Sequence, residues 1–363
     1  MSESRSRKAG QVLRQQQQQL AERIVARQYG RRPERWQPFG DAGREKSVRD
    51  AGYHLSYLAE AVAARDSSLF TDYASWAQVL FDSLGFAGDV LQTTLRCTLD
   101  TLREQLPPDI AELPTAYVEQ ALQQLADVSP ATTSFVSPPE QHARPELVGL
   151  ASSYLDALLR ADRRAASRLI LGSVEGGLDV RDVYLYVFQP VQREVGRLWQ
   201  LNQISVAQEH YCTAATQMVM SQLYPRIFSA RRVGRTLVAT CVGNELHELG
   251  VRMVADFFEM AGWDTYYLGA NVPMESILRA VADRRAHVLA VSATMTYHVG
   301  HVRALIDHIR SSSVEHDVRI LVGGYPFNVS TSLWKTVGAD GYARDAQQAV
   351  GVADGLASEE SAA

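Results

Sequence analysis

Gly243-Asn244-Glu245-Leu246-His247-Glu248-Leu249-Gly250 is the stretch on which the fold turns. Before it lies a short apolar run, residues 235–242; after it comes a segment of helical period. The same succession repeats downstream. Ser292-Ala293-Thr294 closes an apolar run over 287–293, and Gly323-Gly324 follows another over 318–322. Each run is short, rich in β-branched residues and ended by turn formers, the pattern of a buried strand. Strands alternating with helical segments predict βαβ units, hence a parallel sheet with helices on both faces. In such sheets ligands bind beyond the carboxyl ends of the strands. The three pieces are therefore expected to line one site.

Acid-x-His-x-x-Gly, then Ser-x-Thr, then Gly-Gly resembles the cobalamin-binding domain of methionine synthase and its relatives. The resemblance implies a flavodoxin-like (Rossmann-like) α/β domain over residues 230–358. By the same resemblance His247 is the lower cobalt ligand, and Glu245 holds its other imidazole nitrogen, a task that fixes the tautomer. The family more often has Asp where this chain has Glu245. Leu246, Gly250, Ser292, Thr294, Gly323 and Gly324 are implied as further cobalamin contacts, the glycines because a larger residue would collide with the displaced nucleotide tail. Pro273 is expected at the first position of the helix after the second strand.

Residues 145–229 read as four amphipathic helices near 145–160, 162–175, 180–200 and 203–228, a four-helix bundle with a kink expected at Pro190. The last two carry Trp199, Val206 and Glu209-His210. This arrangement resembles the helical cap of light-sensing cobalamin proteins, which implies that the indole covers the upper cobalamin face and that Glu209 and His210 meet a 5′-deoxyadenosyl group. Methyl-carrier proteins have a similar bundle with smaller apolar residues over the cobalt. In the best-known light sensors of this group a histidine follows the Trp; here the position is Gln200.

The N-terminal part divides at residue 40. Residues 1–40, with a glutamine run and many arginines, read as a solvated helix near 10–29 and a frayed tail. Residues 44–127 read as about five helices, with starts at Asp66-Ser67-Ser68 and Pro107-Pro108. The block is aromatic: Tyr53, Tyr57, Phe70, Tyr73, Trp76, Phe81 and Phe86. Asp50, His54 and Tyr57 share one helix face. A proline-interrupted linker over 129–144 ends this domain, which spans 1–128. The whole architecture resembles the photocobilins. That implies a globin-like N-terminal domain holding biliverdin, with Arg44 and Arg49 for the propionates and Asp50, Tyr53, His54, Tyr57, Tyr73 and Trp76 around the pyrroles. Haem is the competing pigment, since His54 is the one histidine between residues 44 and 127.

The 363 residues carry 46% hydrophobic and 21% charged side chains, a globular balance long enough for two or three domains. A net charge of -5 argues against a nucleic-acid surface spread over the molecule. Cys97, Cys212 and Cys241 form no C-x-x-C pair and suit a reducing, cytoplasmic setting. No apolar run approaches the roughly 20 residues of a membrane span. The basic N-terminus lacks a following apolar segment, so no secretory signal is expected.

The expectation is a multidomain light sensor, not an enzyme, that binds adenosyl- or methylcobalamin and biliverdin. Cobalt–carbon photolysis would change homo-oligomeric assembly or domain packing and so signal to a protein effector. Two alternatives stay open: a corrinoid methyl carrier for a methyltransferase system, and a haem-globin/cobalamin redox sensor.

Overall fold

The computed structural model describes residues 3–86, 88–127, 144–312 and 318–360. It divides into two compact units: Met1–Thr133 with Met295–Gly300 and Asn328–Val337, and Ser134–Thr294 with His301–Phe327 and Gly338–Ala363. The expected linker lies outside the described residues except for Arg144.

The first unit is helical. Its spine is the helix Gly40–Ala64, whose C-terminal half is buried on nearly every side and mostly apolar: Leu55, Leu58, Ala59 and Val62 are each buried. A helix mostly apolar around its circumference has to be enclosed by others. Helices Ser68–Ser83, Val90–Gln105 and Pro108–Asp127 contribute to that shell, so residues 44–127 hold four helices among the described residues instead of five. Residues 1–40 are not a solvated tail. Helices Glu3–Gln15 and Gln17–Arg31 bury Ala9, Leu13, Leu20, Ala21, Ile24 and Val25. The glutamine run masks this stripe in composition, but the apolar positions keep helical spacing through it. Arg14 Nη1 donates to the buried Glu60 carboxylate at 2.6 Å and fastens the first helix to the spine.

The second unit carries the four-helix bundle and the sheet. Bundle helices run Pro145–Leu159, Arg163–Glu175, Val180–Gln200 and Val206–Gln222, the third passing through a π-helical turn at Tyr184–Phe188. The π turn is how the chain accommodates Pro190. Proline has no N–H and its ring crowds the carbonyl four residues back, and one wider turn before it relieves both. The last bundle helix opens on a reciprocal capping box of Ser205 and Gln208.

Strands β1 (Thr236–Cys241), β2 (Asp264–Gly269), β3 (Val288–Ser292), β4 (Arg319–Gly323) and β5 (Gly341–Ala343) form one parallel sheet in the order β2-β1-β3-β4-β5. This is the flavodoxin-like order, whose switch point falls between β1 and β3. The register matters for the site. Cys241 pairs with Ser292, and Ser292 with Gly323, so three strands end on one row and all three motif pieces emerge there.

One local expectation is corrected. Pro273 is the N-cap of helix Met274–Arg284, with φ −62° and ψ 140°, one residue earlier than expected. An extended ψ at that residue keeps it outside the helix. At the C-terminal end, Ala346–Glu360 is a helix burying Ala349, Ala353 and Ala357 on the sheet core. Small residues at a four-residue spacing are legible as a close-packed face once a partner surface is present.

Candidate functional site

Glu245 is the anchor of the site. Its side chain is fully buried, and both oxygens are used. Oε1 accepts the His247 backbone N–H at 3.0 Å and lies 2.6 Å from His247 Nδ1; Oε2 accepts the Thr294 N–H at 2.8 Å. One carboxylate thus ties the loop after β1 to the loop after β3. The extra methylene of Glu over Asp suits this double reach. A buried carboxylate without such partners would be costly, and here each oxygen is satisfied.

His247 is 58% exposed at its side chain. With Nδ1 engaged by Glu245, Nε2 is the nitrogen left for a ligand. The Glu245 hydrogen bond raises the His247 pKa, burial opposes it, and the charges of Glu245 and Glu209 add to the rise. The last contribution places a carboxylate of the bundle within electrostatic reach of the histidine.

Glycines shape the neighbouring strand ends. Gly324 has φ +102°, and a Cβ there would run into the Ala293 carbonyl oxygen. A Cβ on Gly323 would stand 3.0 Å from the Ala343 oxygen. Gly250 sits at the start of helix Leu249–Met260 with no atom within 4 Å of where a Cβ would be, so packing inside the chain does not require glycine there. Leu246 is 71% exposed beside the histidine, while Ser292 and Thr294 are partly buried.

Sequence reasoning missed Glu248. Its Oε1 accepts from Gln217 Nε2 of the bundle at 2.8 Å; its Oε2 accepts from the Tyr267 hydroxyl and the Ala270 N–H, both at 3.0 Å. Asn271 was also missed. Its N–H donates to the Glu245 carbonyl at 3.0 Å and its Oδ1 accepts the Asn244 N–H at 2.7 Å. Both asparagines are left-handed, at φ 68° and 53°. The available signal was Asn in a turn directly after an apolar strand, a residue type that tolerates that conformation.

On the bundle, Trp199 is half-buried against the bundle core and Gln200 is buried. Val206 is 51% exposed, one helical turn from His210, whose side chain is 75% exposed and whose Nδ1 is paired with the Glu209 carboxylate. Glu209 also accepts from Thr213 Oγ1 at 3.2 Å. The exposed face of helix Val206–Gln222 therefore begins with Val206 and His210 and reaches Gln217, which is fastened to Glu248 next to His247.

The residues expected around a bilin split into two groups. Arg44, Arg49 and Tyr53 line an open cavity of about 670 Å³ together with Gln17, Glu22, Ser56 and Tyr297. His54, Tyr57 and Tyr73 are instead buried against one another, with Trp76 and Asp50 partly buried. His54 Nδ1 lies 2.7 Å from the Tyr73 hydroxyl. Burial pushes the His54 pKa down to about 4 and the Asp50 pKa up. Cys97 is buried with its thiol pKa raised, chiefly by burial, the state of an inert cysteine.

A corrinoid fits these residues. A metal that arrives inside its own macrocycle needs one protein nitrogen, which His247 offers, and a nucleotide tail needs space without side chains, which Gly250 leaves, while glycine at 323 and 324 is required by the close approach of the chain's own backbone. The comparisons agree. Residues 235–351 match the family model described as a B12 binding domain, and residues 150–224 match a second model of the same description. The chain carries a cobalamin-binding module, a helical cap followed by a parallel α/β domain. It is similar to dimethylamine corrinoid protein 1 of Methanosarcina acetivorans, 26% identical over 196 residues, which is 52% of this chain and 89% of that protein. Trimethylamine corrinoid protein 1 of the same organism is 24% identical over 201 residues, 54% of this chain and 91% of that one. The dimethylamine corrinoid protein of Methanosarcina barkeri is 27% identical, over 63% of its own length. In fold, the chain is similar to the solved monomethylamine corrinoid protein of M. barkeri, with a TM-score of 0.52 and 21% identity over 57% of this chain and 98% of that one.

Proposed function

We propose that the protein holds an alkylcobalamin through His247 and serves as a corrinoid carrier that presents an alkyl group to a partner methyltransferase. The Glu245–His247 pair carries this reading: a buried carboxylate fixes Nδ1 and leaves Nε2 for cobalt. When bound, the corrinoid supplies a cobalt–carbon bond that can be transferred or broken. The chain's own tasks are to orient His247 through Glu245, to hold the loops after β1 and β3 together, and to cover the upper face with the bundle. The names of the similar proteins, methylamine corrinoid proteins, favour the carrier over the light sensor. Among the described residues no helix is long and apolar enough to cross a membrane, in keeping with a cytoplasmic protein.

A second reading, light sensing, rests on two particular observations. Trp199, Val206, Glu209 and His210 give the bundle an indole, a carboxylate and an imidazole, and a methyl carrier needs only small apolar groups there. The helical unit adds a cavity rimmed by Arg44, Arg49 and Tyr53, chemistry that suits a flat, apolar pigment with two carboxylates such as biliverdin. In this reading a globin-like domain holds the bilin, and loss of the alkyl group shifts the bundle and alters homo-oligomeric assembly.

One experiment separates the two. Affinities for adenosyl- and methylcobalamin are measured for the wild type and Glu209→Ala, with size-exclusion profiles in darkness and after green light. A carrier binds both forms alike, loses nothing specific in Glu209→Ala and keeps its profile. A sensor loses adenosylcobalamin binding preferentially in Glu209→Ala, because only that form offers a nucleoside to hydrogen-bond, and changes its profile on illumination. A protein that binds neither form defeats both.

A further inference from the structure

The helical unit contains a run of aromatic rings that the corrinoid site does not use. Tyr57 and Tyr73 are stacked, with centroids 3.6 Å apart and planes 11° from parallel. Trp76 follows Tyr73 at 6.1 Å, and Tyr297 meets the edge of Tyr57 at 5.3 Å. Tyr53 lies 6.2 Å from Tyr297, and these two rings also line the open cavity. At the inner end, the Tyr73 hydroxyl and His54 Nδ1 are 2.7 Å apart, both side chains in the core.

Ordinary packing accounts for the rings but not for this pairing. Phenylalanine at position 73 would fill the same volume without burying a hydroxyl. Tyrosine and histidine there each carry a desolvation cost that their mutual hydrogen bond offsets. The pair has a chemical use. A phenol that loses an electron becomes a strong acid, so a buried tyrosine is oxidised readily only where a neutral base stands within hydrogen-bond reach, geometry first and proton affinity second. His54 meets the geometric condition at 2.7 Å, and burial, which holds its pKa down to about 4, keeps the imidazole neutral and free to accept; it lowers the proton affinity, but an oxidised phenol is acid enough to protonate it.

We propose that Tyr73, with His54 as its proton acceptor, is a one-electron redox site connected to the cavity through Tyr57 and Tyr297. The co-reactant is an organic radical that reaches the cavity rim at Tyr53 and Tyr297. The electron passes from Tyr73 through Tyr57 and Tyr297 to the radical, which takes a proton from water and is reduced to a closed-shell R–H. The Tyr73 O–H bond breaks, its proton forms a bond to His54 Nδ1, and a neutral tyrosyl radical remains on Tyr73. One electron and one proton leave the phenol; the radical gains one electron and the solvent supplies its proton. The site thereby removes a reactive radical and stores the oxidising equivalent where solvent does not reach. The inference does not depend on either reading of the corrinoid site.

The test uses the full chain without added cofactor, oxidised by a flash-excited ruthenium tris-bipyridine with persulfate as the electron sink and read by electron paramagnetic resonance. The expected result is a tyrosyl signal that outlives those of exposed tyrosines, which are lost by coupling to dityrosine. Tyr73→Phe preserves the stacking and should remove the long-lived component. His54→Gln keeps the space filled but accepts a proton poorly, and should slow formation of the signal at least tenfold. Tyr57→Leu, which interrupts the path without touching the pair, should slow it as well. Far-UV circular dichroism establishes that each variant is folded; if one is not, specific deuteration of tyrosine rings and the hyperfine pattern of the wild type report the ring geometry of the oxidised residue. A long-lived signal unchanged in Tyr73→Phe, or a wild type with no long-lived signal, overturns the proposal.

Discussion

His247 and His54 both engage Nδ1 with an oxygen, at 2.6 Å and 2.7 Å, yet their surroundings drive them in opposite directions. His247 faces a carboxylate at the end of a strand, keeps 58% of its side chain exposed, and has its pKa raised. His54 faces a phenol inside a helical core and has its pKa lowered to about 4 by burial. A histidine is therefore no site by itself. The partner on Nδ1 and the solvent access of Nε2 decide whether it binds, titrates or packs.

The largest expected effect separates the two by ligand binding. His247→Ala should weaken cobalamin binding by about a hundredfold or more and abolish the spectrum of histidine-ligated, base-off cobalamin, since an orienting partner alone is worth 10–100-fold. His54→Ala should leave that spectrum unchanged. Titrations that show equal losses would erase the distinction.

Next comes acid stability. Because the folded His54 pKa lies below the unfolded 6.5, the unfolded chain binds the extra proton first. The contribution is fully present above pH 6.5 and disappears as pH falls through 4. It amounts to on the order of 3 kcal/mol across that window. Urea unfolding of the helical unit, followed by tryptophan fluorescence between pH 4 and 7, should show the slope, and His54→Gln should flatten it. A slope unchanged in His54→Gln would assign the acid sensitivity to other groups.

Exchanging the partners gives smaller effects. Glu245→Gln retains an acceptor for the Thr294 N–H but removes the charge facing His247, and cobalamin affinity should fall about tenfold. Tyr73→Phe leaves His54 without its partner, costs about 1–2 kcal/mol of stability, and should not alter cobalamin affinity. The smallest effect sharpens the same lesson away from either histidine. Asp256, buried and accepting from the Tyr184 hydroxyl at 2.7 Å, has its pKa raised to about 6 by burial. Its sign is opposite to that of His54: its contribution is present below pH 3.8 and is lost as pH rises through about 6. Asp256→Asn should gain roughly 1 kcal/mol at pH 7 by denaturant midpoint, and a loss there would show that the ionised carboxylate is stabilising.

The sequence by itself determined the parallel α/β unit and its ligand loop. Apolar strands, helical periods and the three motif pieces are local signals, and the chemistry of His247 with Glu245 lies within three consecutive residues. It also indicated the bundle, through helical period and short connections. The tertiary structure decided what depends on distant partners. The alignment of Cys241, Ser292 and Gly323 on one row follows from sheet register, and no stretch of sequence encodes register alone. Glu248 became a junction only when Gln217, Tyr267 and Ala270 converged on it. The apolar stripe through residues 9–25 looked solvated because glutamines surround it, and it became core when the helix Gly40–Ala64 supplied the opposing face. His54 and Tyr57 share a face in the sequence, but only packing turned them inward, because burial is set by what covers a helix and not by the helix itself.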